Sequence, residues 1–188
     1  MKKHVLRLFP LIPLMGTVNK KASMIKILSH SAALERGVID LILDIQRTEF
    51  CLKTDASDQP DLLDVANYYQ TSLGNFWVAL SGNEVVGTLG LRDIGNNQGA
   101  LRRLYVKAPY RGQPQAVASQ LLERLLQSAT DADVRDIYLA TTEKFAAALR
   151  FYEKNGFVRV DQSLIPETFP RIPQETLFFR RTLLRNQC

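Results

Sequence analysis

Leu104-Tyr105-Val106-Lys107-Ala108-Pro109-Tyr110-Arg111-Gly112-Gln113-Pro114-Gln115-Ala116 runs directly into a leucine-rich amphipathic segment. The stretch reads as a strand that stops at a proline, turns through a basic, glycine-bearing loop and enters a helix. A helix start presents unpaired backbone N–H groups and the positive end of the macrodipole, so this junction is a natural anion cradle. On residues alone the implied ligand is phosphate-bearing and nucleotide-like, held by backbone amides.

Working outward, a helix over 115–129 carries Val117, Leu121, Leu122, Leu125 and Leu126 on one side. A strand over 136–140 follows, then a helix over 144–155 closed by Gly156 as a left-handed cap. Residues 157–160 and 177–179 read as final strands, joined by a proline-punctuated loop over 164–173. Upstream, strands over 76–80 and 85–91 flank the hairpin signal Ser81-Gly82-Asn83-Glu84, and a turn at Gly95-Asn96-Asn97 precedes a strand over 100–106. Helical spacing of Leu34, Val38, Leu41, Ile42 and Ile45 predicts a helix over 32–50. Pro60 predicts another over 61–70, and 25–28 reads as a short strand. Helices first, an antiparallel meander, then alternating strands and helices make a mixed α/β sandwich around one central sheet.

The chain has 188 residues and 46% hydrophobic content, enough for one well-packed domain and short for two. Its formal charge of +5 suggests nucleic acid until its location is considered. Residues 1–23 hold Lys2, Lys3, Arg7, Lys20 and Lys21 and no acid, which leaves 19 basic and 19 acidic side chains in the remainder. A neutral body lacks the clustered positive excess that polyphosphate needs, so no nucleic-acid partner is expected. The apolar run from Val5 to Met15 faintly suggests a secretory signal, but Arg7, Pro10 and Pro13 interrupt it, and it is too short to span a bilayer. The reading preferred here is a working domain over 24–188 behind a leader or disordered extension over 1–23, with no membrane partner. Cys51 and Cys188 suit neither a disulfide framework nor a metal site, so no metal is expected and a reducing cytoplasm is the default.

The order strand, Arg-Gly loop, helix, strand, and a helix ending Phe151-Tyr152-Glu153-Lys154-Asn155-Gly156-Phe157 resembles the GCN5-related N-acetyltransferase (GNAT) family. The resemblance covers most of 24–188 and is strongest over 100–157. It implies a mostly antiparallel, twisted sheet flanked by helices, with strands splayed at an acetyl-CoA site. The family's Arg/Gln-x-x-Gly-x-Gly/Ala loop is matched at Arg111, Gly112 and Ala116, which with Gln113 and Gln115 would hold the pyrophosphate of acetyl-CoA. Pro114 stands where a motif glycine is usual and removes one N–H, though it is acceptable in a first helical turn. The resemblance also implies that main-chain atoms of Leu104, Tyr105 and Val106 pair with the pantetheine arm as a further strand would. Tyr152 would be the acid that protonates the departing thiolate; a plain packing role is its alternative. Phe145 replaces an Asn that contacts the pantetheine arm in many members.

A general base is not assigned. Many members use a Glu on the strand that here begins with Ala100; Glu49, Asp93 and Glu143 are candidates, but each reads first as solvated surface charge. Arg102 and Arg103 should face opposite sides of their strand, so that one meets an anionic group while the other points elsewhere. Segments 54–60 and 166–173 are the expected substrate-facing loops. The pairing of Asp58-Gln59-Pro60-Asp61-Leu62 with Phe169-Pro170-Arg171 resembles a bacterial subgroup of small-molecule acetyltransferases. The Arg171 guanidinium would suit a substrate carboxylate, and a solvated loop arginine is the equal alternative. His4 and His30 lie outside every motif.

The function expected is transfer of acetyl from acetyl-CoA to the amine of a small molecule or amino-acid-like acceptor by direct attack. No Ser-His or Cys-His signature calls for a covalent intermediate. A catalytically weak acyl-CoA-binding module and an aminoacyl-tRNA acetyltransferase are the alternatives, and a homodimer is left open.

Overall fold

Seven strands form one sheet in the order β1-β2-β3-β4-β5-β7-β6. The computed structural model describes residues 24–183, so the leader, His4 and Cys188 lie outside the described residues. The strands are β1 (Ile25–Ser29), β2 (Asn75–Ser81), β3 (Glu84–Asp93), β4 (Gln98–Val106), β5 (Asp136–Thr141), β6 (Val158–Val160) and β7 (Leu177–Thr182). Every pairing is antiparallel except β4 with β5. That parallel pair is joined by a crossover helix, as parallel neighbours require.

Two helical layers cover the sheet, and alternation along the strands sorts the core between them. Trp77 and Ala79 of β2 point to one face, where they meet Val117, Leu121, Leu122, Leu125 and Ala129 of α4 (Val117–Asp131). Phe76, Val78 and Leu80 point to the other, against Val38, Leu41, Ile42 and Ile45 of α1 (Glu35–Thr48). The spacing of those four α1 residues is one helical stripe. On this second face lie also α2 (Pro60–Leu63) and α3 (Val65–Tyr69), through Leu62, Val65 and Tyr69. A third apolar group, Ile94, Ala100, Tyr138, Ile165, Phe169 and Phe178, seals the rest of that face beneath the segment that joins β6 to β7. Phe169 of the subgroup motif is thus a core residue.

Several boundaries depart from the sequence reading. The helix expected over 61–70 is two short ones, because the Asp64 carboxylate accepts from the Asn67 amide at 3.3 Å and caps a fresh start. Such a local side-chain bond competes with helix continuation. The helix expected from 115 begins at Val117, since Ala116 is left-handed (φ 44°, ψ 44°) and its amide donates to the Gly112 carbonyl at 2.6 Å. Pro114 consequently sits in the turn before α4, not in its first helical turn. The helix over 144–155 is α5 (Ala146–Lys154), and it ends as expected, with Gly156 at φ 78° and the Phe157 amide on the Tyr152 carbonyl at 3.1 Å.

Candidate active site

β4 and β5 pair only through Gln98↔Asp136, Gly99↔Ile137 and Ala100↔Tyr138. Beyond Ala100 the two strands part: β4 continues to Val106 beside β3, and β5 to Thr141 beside β7. A wedge-shaped opening through the sheet results, and the β5-facing edge of residues 101–106 has no ladder partner.

A bulge in β4 accompanies the split. Thr88 pairs with Tyr105 and Gly90 with Arg102, so Leu89 alone faces both Arg103 and Leu104, and Arg103 takes the left-handed φ of 57°. A bulge of this kind bends its strand and re-aims side chains. Leu101 and Leu104 both pack with the α4 core, while Arg103 reaches Asp61 of α2 on the opposite face, with Arg102 and Tyr105 directed to that same side. The expectation that Arg102 and Arg103 face opposite ways is corrected here, because it assumed an unbroken period of two. Each of them meets an acid.

All three nitrogens of Arg103 are engaged. Its Nε donates to Asp61 Oδ2 at 2.8 Å, its Nη1 to Gln59 Oε1 at 2.6 Å, and its Nη2 to Asp61 Oδ1. The Tyr69 hydroxyl donates to Asp61 as well, at 2.5 Å. Gln59 Nε2 donates to Thr54 Oγ1 at 2.9 Å and to Gln46 Oε1 at 3.3 Å, and Gln46 Nε2 donates to the Tyr105 hydroxyl at 3.0 Å. Burial alone would raise the Asp61 carboxyl, but the bonds and charge of Arg103 outweigh it and hold it below the ordinary carboxylate value. Gln59 and Asp61 of the Asp-Gln-Pro-Asp-Leu segment therefore brace the bulge.

Arg102 is held differently. Nη1 donates to both Glu175 oxygens, at 3.0 and 2.9 Å, and its side chain is 12% exposed. Glu175 precedes β7, just before Thr176, whose amide donates to the Thr141 carbonyl at 2.9 Å. The pair thus bridges the two walls of the opening. Burial pushes the Glu175 carboxyl above its ordinary value, and Arg102 offsets this only in part.

Tyr152 rises from α5 on the opposite face, among Phe151, Phe157 and Phe179 at ring separations of 5.7, 5.8 and 6.4 Å. It is 8% exposed, and its hydroxyl makes no hydrogen bond among the described residues. Desolvation pushes its phenol well up, with the charges of Tyr105 and Glu175 adding and Arg102 opposing. The phenol therefore stays protonated at neutral pH and feels groups on the far side of the sheet. Tyr152 packs in the core and lies close to Tyr105, Arg102 and Glu175 at the opening.

In the loop before α4, Gly112 has φ 65°, a conformation natural to glycine. The amides of Gly112, Gln113, Gln115, Val117 and Ala118 have no protein acceptor among the described residues, whereas that of Ala116 is bound to Gly112. The Arg111 guanidinium folds back: Nε donates to the Val106 carbonyl at 2.7 Å, and Nη1 and Nη2 engage Glu49 at 2.8 and 2.7 Å. Main-chain atoms of Leu104 and Tyr105 remain on the open edge. The Phe145 ring lies tilted against that of Phe50 at 4.4 Å, and Phe50 reaches Tyr105 at 6.5 Å.

Of the acids weighed as bases, Glu49 is paired with Arg111, Asp93 caps the Gly95 amide at 2.8 Å, and Glu143 is exposed. Arg171 is exposed, 5.9 Å from the Phe178 ring and donating to the Ile165 carbonyl at 3.3 Å. The residues at the opening that sequence reasoning missed are Glu175 and the Val117 and Ala118 amides. Glu175 stands in a loop with no motif; the amides follow only once the helix start is known. Among the described residues no group of three or more His, Cys, Asp or Glu is placed to hold a metal ion, and no helix is long and apolar enough to cross a membrane.

A mixed α/β sheet opened at its parallel pair, with a helix start beside the opening and a tyrosine beneath it, defines an acyltransferase scaffold. The family model described as Acetyltransferase (GNAT) family matches residues 39–157, and the chain belongs to that family. N-acetyltransferase 8F1 of Rattus norvegicus is 33% identical over 120 residues, 61% of this chain and 51% of that protein. The chain spans about half the length of the curated relatives it matches. The crystal structure of a GNAT-family acetyltransferase from Staphylococcus aureus superposes with a TM-score of 0.80 at 33% identity, over 86% of this chain and 100% of that one. An acetyltransferase from Streptococcus agalactiae gives 0.78 at 27% identity, over 87% and 99%.

Proposed function

We propose that this protein is an N-acetyltransferase that moves acetyl from acetyl-CoA to the amine of a small-molecule or amino-acid-like acceptor by direct attack. The observation that carries the reading is the opening between β4 and β5 with the protonated Tyr152 phenol beside it. The main-chain donors of Gly112, Gln113, Gln115, Val117 and Ala118, at the positive end of α4, suit a diphosphate. The unpaired edge at Leu104, Tyr105 and Val106 suits an amide-bearing arm that adds as a strand, although the Val106 carbonyl must be shared with Arg111. Acetyl-CoA supplies an activated acyl group on a thiolate leaving group. Tyr152 supplies the proton that the thiolate takes, and its apolar surroundings exclude water from that transfer.

The test is thiol release across an amine panel with wild type and Tyr152→Phe. Turnover should fall about 100-fold, within the range of lost general-acid catalysis, while coenzyme A affinity stays within about twofold. An unchanged rate removes Tyr152 from the chemistry. Tight thioester binding without turnover on any amine marks the chain as an acyl-CoA-binding module instead.

A further inference from the structure

Arg102 and Arg103 are neighbours on one face, yet their guanidinium groups are used unequally. All three nitrogens of Arg103 are bonded, to Asp61 and Gln59. Only Nη1 of Arg102 is bonded, and it serves both oxygens of Glu175. Its Nε and Nη2 make no hydrogen bond among the described residues. Nor are they sealed: the sealed, unpartnered side-chain nitrogens and oxygens among those residues are His30 Nε2, Trp77 Nε1 and Arg180 Nε. A guanidinium presents a planar fork of donors suited to two-point capture of a carboxylate. Half of that fork is still open, two residues past the last β4–β5 pair and beside a carboxylate with spare acceptor capacity.

We propose that Arg102 and Glu175 form a receptor for the head group of an α-amino acid, Arg102 taking the carboxylate and Glu175 the ammonium, from which it removes the proton. The proposal rests on the acetyl-transfer reading above and names its acceptor class and its base. The site carries a half-open cationic fork next to one anion, so a zwitterion with its two charged groups on one carbon satisfies both at once. A plain amine leaves the fork unfilled, and a carboxylate without an amine gives Glu175 no proton to take. Burial keeps Glu175 basic against the opposing charges of Arg102 and Arg103 from β4, with Tyr152 from α5 the titratable group coupled to it. Occupying Arg102 with a second carboxylate weakens its hold on Glu175 and increases that basicity.

The protons balance. Of the three on the acceptor ammonium, one passes to Glu175 and on to solvent, one stays in the amide, and one replaces the proton that Tyr152 gives to the thiolate. The amine lone pair forms the C–N bond as the C–S bond breaks, and the sulfur leaves with the electron pair.

The experiment measures thiol release at saturating acetyl-CoA with the common α-amino acids, their methyl esters and the matching decarboxylated amines, using wild type, Glu175→Gln and Arg102→Gln. Wild type should favour the best acid over its ester and amine by about 30-fold or more in kcat/KM, the effect of leaving a buried charge unpaired. Glu175→Gln should lower kcat about 100-fold at neutral pH and regain activity as rising pH supplies the free amine, with the KM for acetyl-CoA unchanged. Arg102→Gln should erase the preference for acid over ester. Esters and amines that match the acids in wild type overturn the proposal without any variant having to fold, and leave acetyl transfer standing. A Glu175→Gln enzyme with the wild-type rate and pH profile overturns it too. Silence of wild type on every amine removes the acetyl-transfer reading, and this inference with it.

Discussion

Asp61 shows how much a single side chain carries in this molecule. Its carboxylate accepts from Arg103 through two nitrogens and from the Tyr69 hydroxyl, so it holds the β4 bulge, α2 and α3 together. The two side chains are 13% and 16% exposed. Removing one partner of a buried pair leaves an uncompensated charge, which costs more than the pair contributes net. Asp61→Ala should destabilise the fold by about 3 kcal/mol, read as a lower urea midpoint at unchanged slope. Asp61→Asn, which keeps one acceptor oxygen, should cost less. Sequence inspection found both arginines and the Asp58 to Leu62 segment but not their connection, because a salt bridge across 42 positions leaves no local pattern.

At the scale of elements, the bulge and the strand beside it define the opening. Gly90 of β3 lies opposite Arg102, and a β-carbon there would stand 2.8 and 3.0 Å from Tyr69 ring atoms and 3.1 Å from the Phe76 ring. Both rings are buried, and Tyr69 is tied to Asp61, so neither yields easily. Gly90→Ala should cost about 1–3 kcal/mol by overpacking, measured by urea unfolding, and should lower acetyl transfer as Tyr69 and Asp61 shift under Arg103. Helix α4 illustrates the opposite case. Its apolar stripe was legible at once, but its first residue was not, since the left-handed turn at Ala116 comes from the closure of the Gly112 to Ala116 loop. The Val117 and Ala118 amides, which the proposed function assigns to the diphosphate, lie just beyond that turn.

The pH response belongs to the whole molecule. Asp61 and Asp136 are buried acids whose partners outweigh desolvation: Arg103 for the first, and Thr182 and Arg135 for the second. Their folded-state values lie below the unfolded ones, so their stabilisation is complete above about pH 4 and is lost as pH falls further. Glu175 has the opposite sign. Burial raises it in the folded state, so falling pH adds stability from its raised value down to the ordinary carboxylate range, where the gain levels off. Thermal unfolding followed against pH should show a stability maximum on the mildly acidic side and a steep loss below about pH 4. Glu175→Gln should flatten the mildly acidic rise and leave the steep limb in place.

The strand-loop-helix run from Leu104 and the Phe-Tyr-x-x-x-Gly-Phe segment were sufficient for the fold class, the family and the position of Tyr152. Those features are local: periodicity, a turn glycine and a helix cap act over a few residues and can be read in order. The inward faces of α1 and α4 followed from the same rule. Only tertiary structure decided that β4 bulges, that Arg102 and Arg103 share a face, and that Glu175 arrives across the opening from 73 positions away. A register slip and a long-range ion pair are settled by how separate strands and loops pack, and no short stretch of chain contains that energy.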